Sequence, residues 1–368
     1  MSRKARVIAF YLPQFHPIPE NDENWGKGFT EWTNVAQAKP LFKNHDQPRI
    51  PADLGFYDLR LPEIREAQAQ MAQEHGVEGF MYWHYWFGNG KMLLEKPFQE
   101  VLASGKPDFP FCLGWANHSW STKTWVKDKK LKRDKMIVEQ LYLGEEDYRK
   151  HFDYVLPAFK DERYITVDGC PIFVVYDPLA IPDIEIFIKI WREMASANGL
   201  KGIHFVGLRS GRLANLDKIL NMGFDAVNSR GMWEAECAAV GNKWLKMLRS
   251  QISFKLGGAV LQKYEYEDII KNLFSEEEKI ENVYPTILPG YDRTARSARQ
   301  AIIYHGSTPK LFGKHVDMAI KLIENKKDEH KIVFLKSWNE WGEANYMEPD
   351  LKYGLGYLKE LKKRIFGN

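Results

Sequence analysis

Eight short apolar runs, each followed by a stretch of helical periodicity, constrain this 368-residue chain more than any other feature. The runs are Arg6–Leu12, Val77–His84, Phe109–Trp115, Ile172–Asp177, His204–Leu208, Ala226–Ser229, Val283–Leu288 and Ile332–Ser337. Helical patterns fall at Pro62–His75, Met92–Ser104, Glu146–Lys160, Ile184–Asn198, Leu216–Met222, Lys310–Asn325 and Tyr357–Ile365, with a less regular one around Tyr266–Phe274. Strict alternation implies a parallel sheet, and eight βα pairs close a barrel. The runs are almost continuously apolar, as strands covered on both faces should be. A doubly wound open sheet is the alternative, but no GxGxxG or Walker-type loop follows an early strand. The expected fold is therefore α/β: one (β/α)8 TIM-type barrel over residues 1–368, with insertions near 20–54 and 231–267 at its C-terminal rim.

The first insertion carries Trp25, Glu31, Trp32 and His45 and is placed to roof the barrel mouth. The second contains the basic amphipathic stretch Lys243 to Arg249, read first as a solvated helix packed on the barrel and second as a contact with a membrane surface or a lipid-linked glycan.

Charge excludes some partners. A net charge of +3 is small for this length, and no Lys/Arg block is dense enough for a nucleic-acid groove, so nucleic acid is not expected to bind. Three cysteines, Cys112, Cys170 and Cys237, are odd in number and form no CxxC pair, which fits a reducing compartment. Val7 to Leu12 is too short for a signal peptide and no segment is long enough to span a bilayer, so cytoplasmic residence is expected.

In a barrel of this kind chemistry gathers past the C-terminal strand ends. The last run leads into Ser337-Trp338-Asn339-Glu340-Trp341-Gly342-Glu343. If the chain turns helically there, carboxylates three residues apart share one side. Trp338 and Trp341 would then supply flat apolar surface. Sugars suit such a site: their C–H faces stack on rings, and cleaving a glycosidic bond uses two carboxyl groups in different protonation states. Twelve Trp and seventeen Tyr are rich usage, concentrated near strand ends. The candidate catalytic residues are Glu340, Glu343 and Tyr291. The candidate substrate-binding residues are Tyr11, Gln14, His16, Trp25, Trp32, Trp83, His84, Trp86, Trp115, Asn117, Asp177, Asp292, Trp338, Asn339 and Trp341. Arg209, Arg212, Arg293 and Arg296 hint at an anionic group on the ligand. His16, His84 and His118 raise the question of a metal, but with neither HExxH nor His-x-His spacing they are read as hydrogen-bonding groups. No metal and no cofactor is expected, and without a GxSxG elbow neither is a Ser nucleophile.

Tyr-Leu-Pro-Gln-Phe-His at 11–16, Trp25 with Gly28-Phe29-Thr30-Glu31-Trp32, Tyr-Trp-His-Tyr-Trp at 82–86, Trp115-Ala116-Asn117, Gly169 to Pro178 and Trp338 to Glu343 together resemble the WbsX-like proteins of bacterial surface-glycan biosynthesis. The resemblance runs from about Arg6 to Tyr357. Those proteins are in turn similar to glycoside hydrolase family 99, the endo-α-mannosidases and endo-α-mannanases, mainly in the barrel pattern and the Glu-x-x-Glu segment. The resemblance implies a retaining mechanism without a protein nucleophile. Glu340 would take the proton of the sugar 2-hydroxyl, which closes on the anomeric carbon to an anhydro sugar, and Glu343 would serve as general acid and then base. A carboxylate nucleophile stays open. Mannose specificity is not carried over, because the chain is shorter and its rim motifs differ.

Three functional readings follow. The first is a carbohydrate-active enzyme acting on glycosidic bonds of a bacterial surface polysaccharide such as O-antigen, capsule or lipopolysaccharide, with an oligosaccharide or polysaccharide, free or lipid-linked, as partner. The second is a glycosyltransferase using an activated donor, for which no DxD site or phosphate cradle is visible. The third is a non-catalytic glycan-binding barrel, against which the retention of both glutamates argues.

Overall fold

The barrel strands of the computed structural model, which describes residues 3–122, 135–209, 214–256 and 260–367, are β1 (Arg6–Tyr11), β2 (Val77–Trp86), β3 (Phe111–Trp115), β4 (Cys170–Val175), β5 (His204–Leu208), β6 (Ala226–Asn228), β7 (Val283–Tyr284 and Thr286–Ile287) and β8 (Ile332–Leu335). They pair in parallel in the order β7-β6-β5-β4-β3-β2-β1-β8-β7, so the sheet returns to its starting strand. Closure runs through Pro285. Proline has no N–H to donate, and the strand changes partner there: Val283–Tyr284 pairs with β6, Thr286–Ile287 with β8, and the Pro285 carbonyl accepts from Phe334 N at 2.9 Å.

Helices Pro62–Glu74, Lys96–Ser104, Glu145–Phe159, Ile184–Ala197, Leu216–Asn221, Tyr266–Lys271, Pro309–Ile323 and Gly356–Phe366 follow the eight strands in turn. Their apolar stripes face the barrel. In Ile184–Ala197, Ile184, Phe187, Ile188, Trp191 and Ala195 are buried at helical spacing, and Trp191 packs on Phe173 of β4 at 4.6 Å between ring centroids. The helix expected from Met92 starts only at Lys96, because Met92–Leu93 folds back to pair with Tyr85–Trp86 of a longer β2. A three-stranded sheet that the sequence reading does not contain joins Gln262–Glu265, Ile302–His305 and Tyr291–Asp292 beside the barrel mouth.

Successive strand residues point to opposite faces, and this sorts the strand ends. Phe10, Trp83 and Phe334 pack ring to ring inside the barrel, with 5.2 Å between Phe10 and each of the others. Their neighbours Tyr11 and Tyr82 lie between barrel and helices with Phe80, Phe98 and Trp338. The three cysteines are free, Cys112 buried and the others part-buried. No helix among the described residues is long and apolar enough to cross a membrane.

Candidate active site

The end of β8 is tied to the end of β1 before any functional group appears. Trp338 N donates to Phe10 O, and the Asn339 amide both accepts from Leu12 N at 2.8 Å and donates to Leu12 O at 3.0 Å. Asn339–Glu340 then pairs antiparallel with Asn345–Tyr346 around a 3-10 turn at Trp341–Glu343. Glu340 and Glu343 therefore flank one tight turn. Gly342 is at its crest, where its N–H donates to Glu31 Oε1 at 2.8 Å and a Cβ would come within 2.1 Å of that oxygen. Only glycine fits this approach.

Both carboxylates meet Arg296, which follows the Tyr291–Asp292 strand on the short helix Thr294–Ser297. One guanidinium nitrogen bonds Glu340 Oε1 at 2.8 Å and Glu343 Oε1 at 2.7 Å, and the other bonds Glu31 Oε1 at 2.9 Å. Two oxygens on one nitrogen can be no farther apart than those bonds laid end to end, about 5.5 Å. Lys336 Nζ lies 3.3 Å from Glu343 Oε2, 3.9 Å from Glu340 Oε2 and 4.8 Å above the centre of the Tyr291 ring, and Arg293 Nε lies 3.1 Å from Glu343.

Electrostatics separates Glu343 from Glu31. Burial opposes ionisation of Glu343, but Arg296, Lys336 and Arg293 outweigh it and hold this carboxyl well below its usual range. Glu31, fully buried, is pushed by desolvation up to about 7 even though Arg296 pulls the other way. Burial followed by the Glu343 charge raises the Tyr291 hydroxyl, which stays a proton donor. Burial lowers Lys336, opposed by Glu343 and Glu340.

These groups line a cavity of about 280 Å³ at the C-terminal mouth of the barrel. Its wall brings together the expected Glu340, Glu343, Tyr291, Gln14, Trp25 and Trp83. Gln14 Nε2 and Trp25 Nε1 are buried without a hydrogen-bond partner among the described residues. Trp25 arrives on the Pro19–Trp25 helix of the first insertion, as a roof over the mouth requires.

The other expected residues are elsewhere. Tyr11 donates to Gln68 behind the barrel wall. His16 is buried in the loop after β1, its pKa lowered by desolvation against the pull of Asp58. Trp32 packs on Phe15, Tyr57 and Trp341. His84 bonds the buried His151 at 2.8 Å, and Trp86 stacks on that same ring while donating to Asp147. Trp115 is fully buried against Phe187 and donates to Trp86 O. Asn117 holds the Asp177 backbone at both its N–H and its carbonyl, which fixes Asp177 as a turn residue. Asp292 binds His45, Gln47 and Thr294, anchoring the roof insertion. Trp338 and Trp341 are buried, the first against Phe80 and the second stacked on Tyr346, so neither offers a sugar platform; Asn339 is the clamp on Leu12. Arg209 pairs with Glu277, and Arg212 is outside the described residues.

Arg293 and Arg296, read from the sequence as hints of an anionic ligand, and His118, read as a hydrogen-bonding group, do line the cavity, together with Tyr85, Trp120, Tyr176, Arg230 and Lys336, which the sequence reading left out of the site, and with Glu31 behind Arg296. Strand parity was the available signal. Phe10, Leu12 and Gln14, then Trp83 and Tyr85, then Ala116 and His118, each line the cavity two residues apart. A second cavity of about 220 Å³ adjoins the first, sharing Tyr176 and Arg230 with it and adding Arg209 and Met232 to Glu234.

Comparisons agree with this architecture. Among solved structures the fold is similar to a glycoside hydrolase-like protein, at TM-score 0.63 and 16% identity over 99% of this chain and 94% of that one. It is also similar to the GH99 endo-alpha-mannosidase of Bacteroides thetaiotaomicron, at TM-score 0.58 and 15% identity over 100% and 98%. In sequence it is 32% identical over 363 residues to the protein WxcX of Xanthomonas campestris pv. campestris, covering 98% of this chain and 50% of the relative. The chain thus spans about half the length of the curated relatives it matches. The family described as glycosyltransferase WbsX matches residues 7–361. The chain belongs to the WbsX glycosyltransferase family.

Proposed function

We propose that this protein breaks or transfers glycosidic bonds of a bacterial surface polysaccharide with retention of configuration, using Glu340 and Glu343. One observation carries the proposal: two carboxylate oxygens at the mouth of a barrel, both on one nitrogen of Arg296 and so within about 5.5 Å. Carboxyl groups about 5 Å apart suit retaining chemistry, whereas inverting enzymes separate them by about 6.5–9.5 Å to admit water. The fold shared with the endo-alpha-mannosidase and the aromatic wall of Trp25, Trp83 and Tyr85 support the same reading.

The electrostatics supports a division of labour opposite to the one the resemblance implies. Glu343, held ionised by three cations, suits the carboxylate that carries no proton, the nucleophile attacking the anomeric carbon itself. Glu340, the more exposed of the two, is left to protonate the leaving oxygen. Tyr291 is a hydroxyl donor beside them. Mannose is not part of the proposal.

The test begins with polysaccharide and lipid-linked oligosaccharide of the source organism, with mass-spectrometric product analysis in the presence and absence of nucleotide sugars. Fluoride derivatives of the identified sugar, whose leaving group needs no proton, then separate the roles. Glu340→Gln should spare the fluoride and Glu343→Gln should not. The reverse pattern restores the order implied by the resemblance, and full activity of both variants on the natural glycan removes the catalytic assignment.

A second reading, transfer from a diphosphate-activated sugar, is favoured by Arg230. It borders both cavities, and its guanidinium has no carboxylate or hydrogen-bond partner among the described residues. A phosphate or an acidic sugar would bond such a cation more strongly than a neutral hydroxyl does. Turnover that requires an activated donor would select this reading over the first.

A further inference from the structure

The helix Lys243–Lys255 in the second insertion is built inside out. Lys246, Arg249 and Ser250 on its inward side are polar and paired. Lys246, buried, bonds Glu236 at 2.8 Å, and Glu236 in turn accepts from the Tyr304 hydroxyl. Ser250 donates to Gln262, and Arg249 donates to the carbonyls of Leu261 and Lys263 at 2.9 Å each. Its outward residues are apolar: Trp244, 69% exposed, Leu245, Leu248, 54% exposed, and Ile252, continued by Leu256 just past the end. Positions 244, 248, 252 and 256 are four apart and fall on one stripe about 18 Å long at 1.5 Å per residue. The sequence suggested first a solvated helix packed on the barrel and second a contact with a membrane surface or a lipid-linked glycan; the polar face does the packing.

Charge decides what covers the stripe. The helix contains no acidic residue, and exposed Lys243 and Lys255 stand at its two ends. A second copy docked on the same stripe by two-fold symmetry would set these lysines against one another. An anionic lipid surface complements them. An apolar stripe with an aromatic at one end and cations beside it is also the composition of a helix that lies in a bilayer interface. We propose that the outward face of Lys243–Lys255 seats this protein on an anionic membrane surface. The seat adjoins the candidate site in the chain, since Met232 to Glu234, which with Arg230 wall the second cavity, belong to the same insertion. The inference does not depend on the glycosidic chemistry proposed above.

The test is co-sedimentation of the full chain with phosphatidylcholine vesicles, with and without phosphatidylglycerol. Wild-type protein should pellet with the anionic vesicles, less so as salt is raised, and hardly with the neutral ones. The double variant Trp244→Ser, Leu248→Ser should lose at least tenfold in vesicle affinity, and Lys243→Glu with Lys255→Glu should lose the preference for phosphatidylglycerol. Both pairs face outward, and unchanged circular dichroism and melting would show that the fold survives. Failure of the wild type to pellet overturns the proposal, as does undiminished pelleting of the folded Trp244→Ser, Leu248→Ser variant. A wild-type dimer in analytical ultracentrifugation that the same variant dissociates, without vesicle binding, would assign the stripe to a second copy instead.

Discussion

Arg296 joins three carboxylates from two distant parts of the chain, and its bond to Glu31 spans 265 residues of sequence. Lysine offers the charge but not the planar fork that meets three oxygens at once. Arg296→Lys is therefore expected to keep the fold while lowering kcat at least ~100-fold, since misplacing a reacting group by about 1 Å costs that much; steady-state kinetics on the identified glycan checks this. Gly342→Ala should act on the same cluster, because a Cβ 2.1 Å from Glu31 Oε1 must displace either the turn or the acid. For Trp115→Ala, whose ring has no cavity surface, the loss belongs to stability: about 3–5 kcal/mol in urea unfolding. These residues also show what was legible. The types needed at the rim could be read from the sequence, but Tyr11, His84, Trp86 and Trp115 are each one position away from a residue that lines the cavity. A strand turns alternate side chains to opposite faces, and a run of aromatics conceals which parity is inward. The cationic half of the site was harder to see, because no local pattern announces that Glu31, Arg296 and Lys336 converge.

Among the elements, the turn from Asn339 to Tyr346 depends on a buried acid beyond it. Glu348 accepts from Gln68, Tyr57 and Trp341, at 2.6, 2.9 and 2.6 Å. Glu348→Gln replaces one of its oxygens by a donor and leaves at least one of these partners unsatisfied, at a cost of about 1–3 kcal/mol near neutral pH by chemical denaturation. Strands and helices were legible because burial on both faces, or along one stripe, writes a period into the sequence. Two elements escaped that reading for physical reasons. In Met92–Leu93 backbone pairing overrides a helical pattern. In Lys243–Lys255 the period was right, but a periodicity carries no sign for which face is inside, and here it is the polar one.

For the molecule as a whole, the buried acids predict how stability follows pH. Desolvation raises Glu31 and Glu348 from an ordinary 4.5 to about 7. The folded state holds these protons more tightly than the unfolded chain, so the stabilisation they give is full below about 4.5 and is lost as pH rises through about 7. Glu343 runs the other way: lowered by its three cations, it contributes above about 4.5 and loses that contribution as pH falls towards its folded value. Unfolding midpoints in urea from about pH 4 to pH 8 should therefore decline towards neutrality, and the decline should be shallower in Glu348→Gln. A pH-independent midpoint would mean that neither acid is desolvated as described.

The barrel itself was anticipated as eight staves, but the seventh contributes only two residues to each neighbour, with proline between. Ser229 N to Tyr284 O on one side and Lys336 N to Ile287 O on the other are among the few bonds that join it there. A cylinder breathes where its joint is thinnest. In native-state hydrogen exchange these amides should open at lower free energy than those shared by β1 and β2, where five residue pairs meet. Tyr291 and Arg293 follow one edge of that joint, and Lys336 and Glu340 follow the other. A glycan gripped by both would clasp the joint shut, so the slowing of exchange there on adding substrate would report occupancy of the mouth without any turnover.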